Sequence, residues 1–354
     1  METIIKAAVE RGASDIHIKA GDVFRARIDG ELVPLTKQRL TPEQTKSIAM
    51  KLIPVEVDRK RIDEIRDYDC SWGAPGIGRF RVSILRQRSS FMIVMRVIPF
   101  EVPSFERLGL PAVLSTIAEC ERGLILVTGT TGSGNSSTMA AIVNHINARF
   151  SRHIVTLENP IEFLHRDVNG SVTQREVGPD TESFAMGLRS VLRQDPDVIL
   201  LGEMPDTRIL DAALTAAETG HLLITTFHTP DAMATIARVV AMFPPEEQEV
   251  TRVRLAEALQ AIVSQRLLPR ANGNGRCVAA EIMIGTPEIR ERIRDRTRVA
   301  EIGDAIEAGR DEHGMQSLDQ HLLELVSAGT ITADTAQAAS ANPGEFERKL
   351  KKLK

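Results

Sequence analysis

Apolar positions change their spacing along the chain, and the change divides it. From Ile4 to about Arg96 the pattern is short-range: an amphipathic helical stretch comes first, then the alternating runs DIHIK and FRARIDGELV, with Asp29-Gly30 reading as a hairpin turn. A second alternating pair, RFRVSILRQR and SFMIVMRVI, follows a Gly/Pro-rich turn at Gly73 to Gly78. Alternation with period two predicts strands with one buried face, so residues 1–98 read as a small α+β domain. Pro99, Pro103 and Pro111 interrupt the periodicity, and residues 99–111 are expected to form an interdomain linker.

Residues 112–354 have a different rhythm. Apolar runs LILVTG (124–129), HIVTLE (153–158), DVILLGE (197–203) and HLLITTFHT (221–229) alternate with helical patterns. Unbroken apolar runs predict parallel strands buried on both faces, hence a doubly wound α/β domain. From Pro244, the stretch PPEEQEVTRVRLAEALQAIVSQRLL is expected to be helical. A brief strand EIMIG (281–285) follows, then mostly helix to a basic tail, Lys349 to Lys354, read as a solvated end.

Composition agrees with that division. A chain of 354 residues exceeds one typical domain, and 42% hydrophobic with 26% charged residues is ordinary for a folded protein. With one Trp and one Tyr, the core must be built from aliphatic side chains, which suits α/β better than all-β. A net charge of -4 and a pI near 6.1 give no electrostatic reason to expect nucleic acid as a partner. The start of the chain lacks the apolar core of a signal peptide, and no stretch approaches the roughly 20 apolar residues that span a bilayer, so a cytoplasmic protein is expected. Cys70, Cys120 and Cys277 form no C-x-x-C pair and are expected to be buried free thiols.

The chemistry is concentrated in the second domain. LILVTGTTGSGNSST reads as a strand, a glycine-rich loop and a helix start, and it matches G-x-x-x-x-G-K-[ST] at every fixed place except the lysine, where Asn135 stands. Gly129, Gly132 and Gly134 let the backbone curl with its N–H groups inward, together with Thr130, Thr131 and Ser133. The helix beginning near Ser136, flanked by Asn135 and Ser137, aims its positive end at the same point. The hydroxyl of Ser136 stands where such loops ligate Mg²⁺, so a magnesium-bound nucleotide is implied. An asparagine amide donates hydrogen bonds but carries no charge, so turnover is expected to be weakened more than binding. Open parallel sheets bind ligands at their carboxyl ends, which makes Glu203 a candidate to polarise water and Glu158 and Glu162 candidates for the metal or its waters. Salt-bridging and helix capping are their structural alternatives. His221 and His228 flank one strand seven residues apart, and structural histidines are the competing reading.

In this order, GTTGSGNSS, TLENPIEF, VGPDTESFAMGLRSVLRQDPDVILLGEM, AAETGHLLITTFHT and VVAMFPPEEQ closely resemble the type II/IV secretion ATPases. Within them the retraction ATPases of type IV pili are nearest. The resemblance runs from GASDIHIKAG through GRFRVSILRQR to PEIRERIRDR and HGMQSLDQHL. It implies a PAS-like domain followed by a RecA-like P-loop NTPase domain, assembled as a homo-hexamer. ATP hydrolysis there drives pilus retraction and twitching motility through an inner-membrane platform protein, which places the chain at the cytoplasmic side of that membrane. By resemblance, Gly129 to Ser136 are the Walker A loop and Glu203 the Walker B glutamate. Glu158 and Glu162 fall in the aspartate box, His221 and His228 in the histidine box, and Arg79, Arg81, Arg96 and Arg238 are candidates to reach a γ-phosphate. The absence of a tetracysteine motif, the start at the PAS-like domain and the likeness of PEIRERIRDR to the helix motif of retraction enzymes favour retraction over assembly.

Departures from the family pattern cluster. Asn135 replaces lysine, Pro205 stands where the family's GEMRD has arginine, and Asn159 replaces a common aspartate. They suggest a weakly hydrolysing or non-hydrolysing paralogue that acts as adaptor or regulator beside an active paralogous ATPase, as the alternative to a motor. A nucleic-acid translocase rests on shared fold alone.

Overall fold

The computed structural model describes residues 1–99 and 101–353, so Phe100 in the expected linker and Lys354 in the basic tail lie outside the described residues. The chain forms two compact units. One comprises Met1–Glu101 with Pro160–Leu164 and Glu176–Asp180, and the other comprises Val102–Asn159, His165–Arg175 and Thr181–Lys354.

In the first unit a six-stranded antiparallel sheet is built from β1 (Asp15–Lys19), β2 (Arg25–Ile28), β3 (Glu31–Pro34), β4 (Asp67–Ala74), β5 (Gly78–Gln87) and β6 (Ser90–Ile98), in the order β3-β2-β1-β6-β5-β4. Alternation sets one face: Phe80, Val82 and Ile84 of β5 and Phe91, Ile93 and Met95 of β6 are buried with Ile5, Ala49 and Leu52 from the helices Glu2–Glu10 and Pro42–Leu52. Two tight hairpins fix the register. Asp29 and Gly30 turn β2 into β3 at φ of 50° and 85°, and Arg88 and Ser89 turn β5 into β6 at 49° and 64°, backbone that matches strand twist. This is the expected PAS-like α+β domain. DYDCSWGA, which forms β4, had no place in the sequence reading.

The second unit is built on a seven-stranded sheet. To β7 (Gly123–Thr128), β8 (His153–Glu158), β9 (Ser171–Glu176), β10 (Val198–Leu201) and β11 (Leu222–Phe227) it adds β12 (Leu259–Pro269) and β13 (Arg276–Ile284), in the order β13-β12-β7-β11-β10-β8-β9. The pairings β12·β7, β7·β11, β11·β10 and β10·β8 are parallel, and β13 closes the edge antiparallel. Every residue of β7, β10 and β11 is buried, because helices cover both faces. With the strand before the glycine-rich loop central in a parallel sheet, the unit has the RecA-like P-loop architecture.

Three expectations need correction. The helix Gln248–Ala258 stops before LQAIVSQRLLP, which is β12: its apolar run is buried between two strands, and that tertiary partner decides against helix. The stretch after Pro103 is no bare connector, since Ser104 caps a short helix Phe105–Leu108 and both Phe105 and Leu110 enter the core of this unit. The basic end continues the helix Pro343–Leu353, with Phe346 fully buried and Lys349 paired to Glu307 (3.4 Å) and Glu345 (3.3 Å). Among the free thiols Cys277 is buried, whereas Cys70 and Cys120 are half-buried. No helix of the described residues is long and apolar enough to cross a membrane.

One half-buried carboxyl gives this unit a pH dependence. Glu281 on β13 accepts a hydrogen bond from the Ala232 N–H (2.7 Å), and burial, with Asp231 nearby, pushes it up to about 7 from its ordinary 4.5. Between those values the folded chain keeps a proton that the unfolded chain releases, so stability falls as pH rises through the window. Glu281→Gln keeps the hydrogen bond and removes the titration; it is expected to raise stability above pH 7 by up to about 3 kcal/mol and by little near pH 5. Thermal midpoints at pH 5 and pH 8 check this, and equal gains at both would contradict it.

Candidate nucleotide site

The loop takes its shape from its glycines. At Gly129 φ is 146°, and a Cβ there would lie 2.4 Å from the Gln265 carbonyl oxygen and 2.5 Å from Ser133 Oγ. No other residue fits. Gly132 and Gly134 follow at φ of 84° and 96°, and Gly134 is the N-cap of the helix Asn135–Arg149. The Ser133 N–H donates to Thr130 O (3.0 Å), and the Thr138 N–H donates to Gly134 O (3.0 Å) as the first helical bond. Ahead of it, the N–H groups of Asn135, Ser136 and Ser137 have no acceptor among the described residues. Thr130, Thr131 and Gly132 are exposed beside this cluster of donors. A concave loop with free N–H groups at a helix N-terminus fits a phosphate, and the Ser136 hydroxyl beside them is half-buried.

Gln265 holds the loop from behind. It is 1% exposed on β12, donates Nε2 to Ser133 O (3.0 Å) and accepts from Thr138 Oγ1 at Oε1 (2.9 Å). Beside it, Thr128 Oγ1 donates to Ser264 Oγ (2.8 Å). Sequence reasoning missed Gln265; the signal was the polar Ser264-Gln265 pair inside an apolar run.

Asn135 does not extend outward. Its Nδ2 donates to Gly129 O (3.3 Å) and Thr226 Oγ1 (3.2 Å), while Oδ1 accepts from Ser133 Oγ (2.9 Å). The side chain ties the loop's two ends together and to β11.

Beyond the carboxyl ends of β10 and β11, Glu203, Pro205, Thr226, His228 and Arg238 line a cleft of about 370 Å³. Glu203, His228 and Arg238 are exposed there. Asp206 accepts from Ile209 N (3.0 Å) and Asp231 from Ala234 N (2.7 Å), so each strand end leads into a capped helix, Thr207–Glu218 and Ala232–Ala241. Glu158 ends the neighbouring strand β8, its Oε1 accepting from Thr156 Oγ1 (2.6 Å) and Gln174 Nε2 (3.1 Å).

Not every predicted residue joins this group. His221 precedes β11 at the amino edge of the sheet, its Nδ1 3.0 Å from Ala216 O, roughly 20 Å along the strand from His228. A parallel strand can place one end at the ligand edge, so His221 is separated from this chain's own loop. Glu162 lies in the first unit, as do Arg79, Arg81 and Arg96. Arg81 and Arg96 are exposed register partners on β5 and β6, and Arg96 also pairs with Asp15 (2.9 Å). Arg79 instead donates to Glu176 (2.8 Å), a buried carboxylate that also receives Ser71 Oγ (2.7 Å) and Ile161 N (3.1 Å). Glu176 carried no sequence signal, because a lone glutamate at a strand end resembles surface charge.

Known proteins place the chain firmly. The family described as type II/IV secretion system protein matches residues 1–324. The type IV pilus retraction ATPase PilT of Pseudomonas aeruginosa is 42% identical over 97% of this chain and 98% of its own. The type IV pilus ATPase PilU of the same organism is 36% identical over 99% of this chain and 91% of its own. Among solved structures, the pilus retraction motor PilT with bound ADP superposes with a TM-score of 0.89 at 44% identity, covering 98% of this chain and 99% of that one. With its two-domain architecture and its glycine-rich loop before a helix, the chain belongs to the type II/IV secretion system protein family.

Proposed function

We propose that the chain is an ATPase of the type IV pilus machinery, on the retraction side, that binds Mg-ATP at Gly129 to Ser136 with Ser136 on the magnesium. The observation that carries this reading is the loop itself: three N–H groups without acceptors among the described residues at a helix start, next to a cleft holding Glu203, His228 and Arg238. The free amides would hold the β-phosphate, Glu203 would polarise water, and Glu158, at the end of the strand paired with the one that leads to Glu203, would orient the metal's waters. Likeness to PilT over nearly the whole chain supports a homo-hexamer acting on an inner-membrane platform protein to drive retraction and twitching motility. In such a ring Arg79, Arg81, Arg96, Glu162 and His221 would serve through the assembly.

A second reading has its own observation. With the Asn135 amide committed inside the loop, no cation from that position reaches a terminal phosphate, which favours a weakly or non-hydrolysing adaptor beside an active paralogous ATPase. Steady-state phosphate release from Mg-ATP, measured for the full chain and for Glu203→Gln, decides between them. A motor shows release that Glu203→Gln lowers at least about a hundredfold. Rates at background for both favour the adaptor.

A further inference from the structure

Asn135 bears on which nucleotides the loop distinguishes. The Gly129 carbonyl can only accept, so the amide nitrogen must face it, and the same nitrogen reaches Thr226 Oγ1 at 3.2 Å. Both N–H bonds are thereby used inside the protein, and Oδ1 is used by Ser133. Apart from the Ser136 hydroxyl, proposed above for the magnesium, what remains for the phosphates is the backbone: N–H groups of the loop and the first helical turn, which address the inner phosphate of a diphosphate or a triphosphate alike. A lysine at this position would add a charge aimed at the terminal phosphate, and charge-assisted bonds are about twice as strong as neutral ones.

We infer that this site binds nucleoside diphosphate and triphosphate with nearly equal affinity, so that Asn135 is a specificity-determining residue that makes the subunit blind to the terminal phosphate. The inference rests on the nucleotide-site reading above and deepens it. Such a subunit follows total nucleotide rather than the ratio of triphosphate to diphosphate, and a hydrolysis cycle in it would produce little change of affinity. Arg238 is the nearby cation to be weighed against this, because it lines the Glu203 cleft; it is exposed there and well hydrated, which weakens its pull on a phosphate.

Calorimetric titration of the full chain with Mg-ADP and with the non-hydrolysable triphosphate Mg-AMPPNP tests the inference. The two dissociation constants are expected to agree within about threefold, and Asn135→Lys is expected to favour the triphosphate by roughly tenfold. A native preference for the triphosphate above tenfold overturns the inference, and if Arg238→Ala removes that preference the arginine supplies the missing charge. If neither nucleotide binds, the nucleotide-site reading fails together with this proposal, an outcome distinct from unequal binding.

Discussion

Asn135→Lys is expected to raise ATP turnover by a factor on the order of 10² to 10³, the usual effect of restoring one donor that acts mainly in the transition state. In the native chain the Asn135 side chain braces the loop through Gly129, Thr226 and Ser133, with no group left over for a developing phosphate charge. Lysine gives up those contacts, but the loop keeps its other supports: Gln265 on Ser133 and Thr138, and the Thr130 carbonyl on the Ser133 N–H. Pro205 follows Glu203 in the same cleft and is unchanged by the substitution, so the gain is expected to stop short of a fully active enzyme. Single-turnover and steady-state phosphate release on matched preparations give the comparison. A native rate equal to that of the variant would show that the missing lysine costs nothing here.

Loss of Glu176 is expected to destabilise the first unit by about 2 to 3 kcal/mol, the cost of removing a buried carboxylate that accepts a charge-assisted bond from the half-buried Arg79 and two further hydrogen bonds. Its side chain is 3% exposed and gathers three donors, from Arg79, Ser71 and Ile161. In Glu176→Ala the Arg79 guanidinium, whose Nε already lacks an acceptor, loses its charged partner, and the Ser71 hydroxyl is stranded beside it. Glu176→Gln should cost less, because an amide oxygen can still accept from Ser71 and Ile161. The single tryptophan, Trp72, is next to Ser71 on β4, so denaturant unfolding followed by its fluorescence reports this unit directly. A midpoint unchanged by Glu176→Ala would mean that the ion pair is idle.

Much of this architecture was legible in the sequence because the physics was local. The hairpin turn at Asp29-Gly30 sits between alternating runs, and the four buried strands are uninterrupted apolar segments before loops or capped helices. The glycine-rich loop was readable for the same reason: left-handed backbone at Gly132 and Gly134 and the close approach at Gly129 each demand glycine. What could not be read depended on distant partners. LQAIVSQRLLP is a strand because β7 and β13 flank it, while its apolar spacing suits a helix equally well. Gln265 matters because β12 carries it behind Ser133, and Glu176 because Arg79 meets it in the folded unit. His221 was read correctly as flanking a strand, but position beside a strand does not say which edge of the sheet the residue occupies.

We propose that Gly129 to Ser136 form a working nucleotide site despite Asn135, and direct binding tests this. Calorimetry of the purified full chain with Mg-ADP should show saturable binding at one nucleotide per chain. No heat and no protection against thermal unfolding at millimolar nucleotide would contradict it.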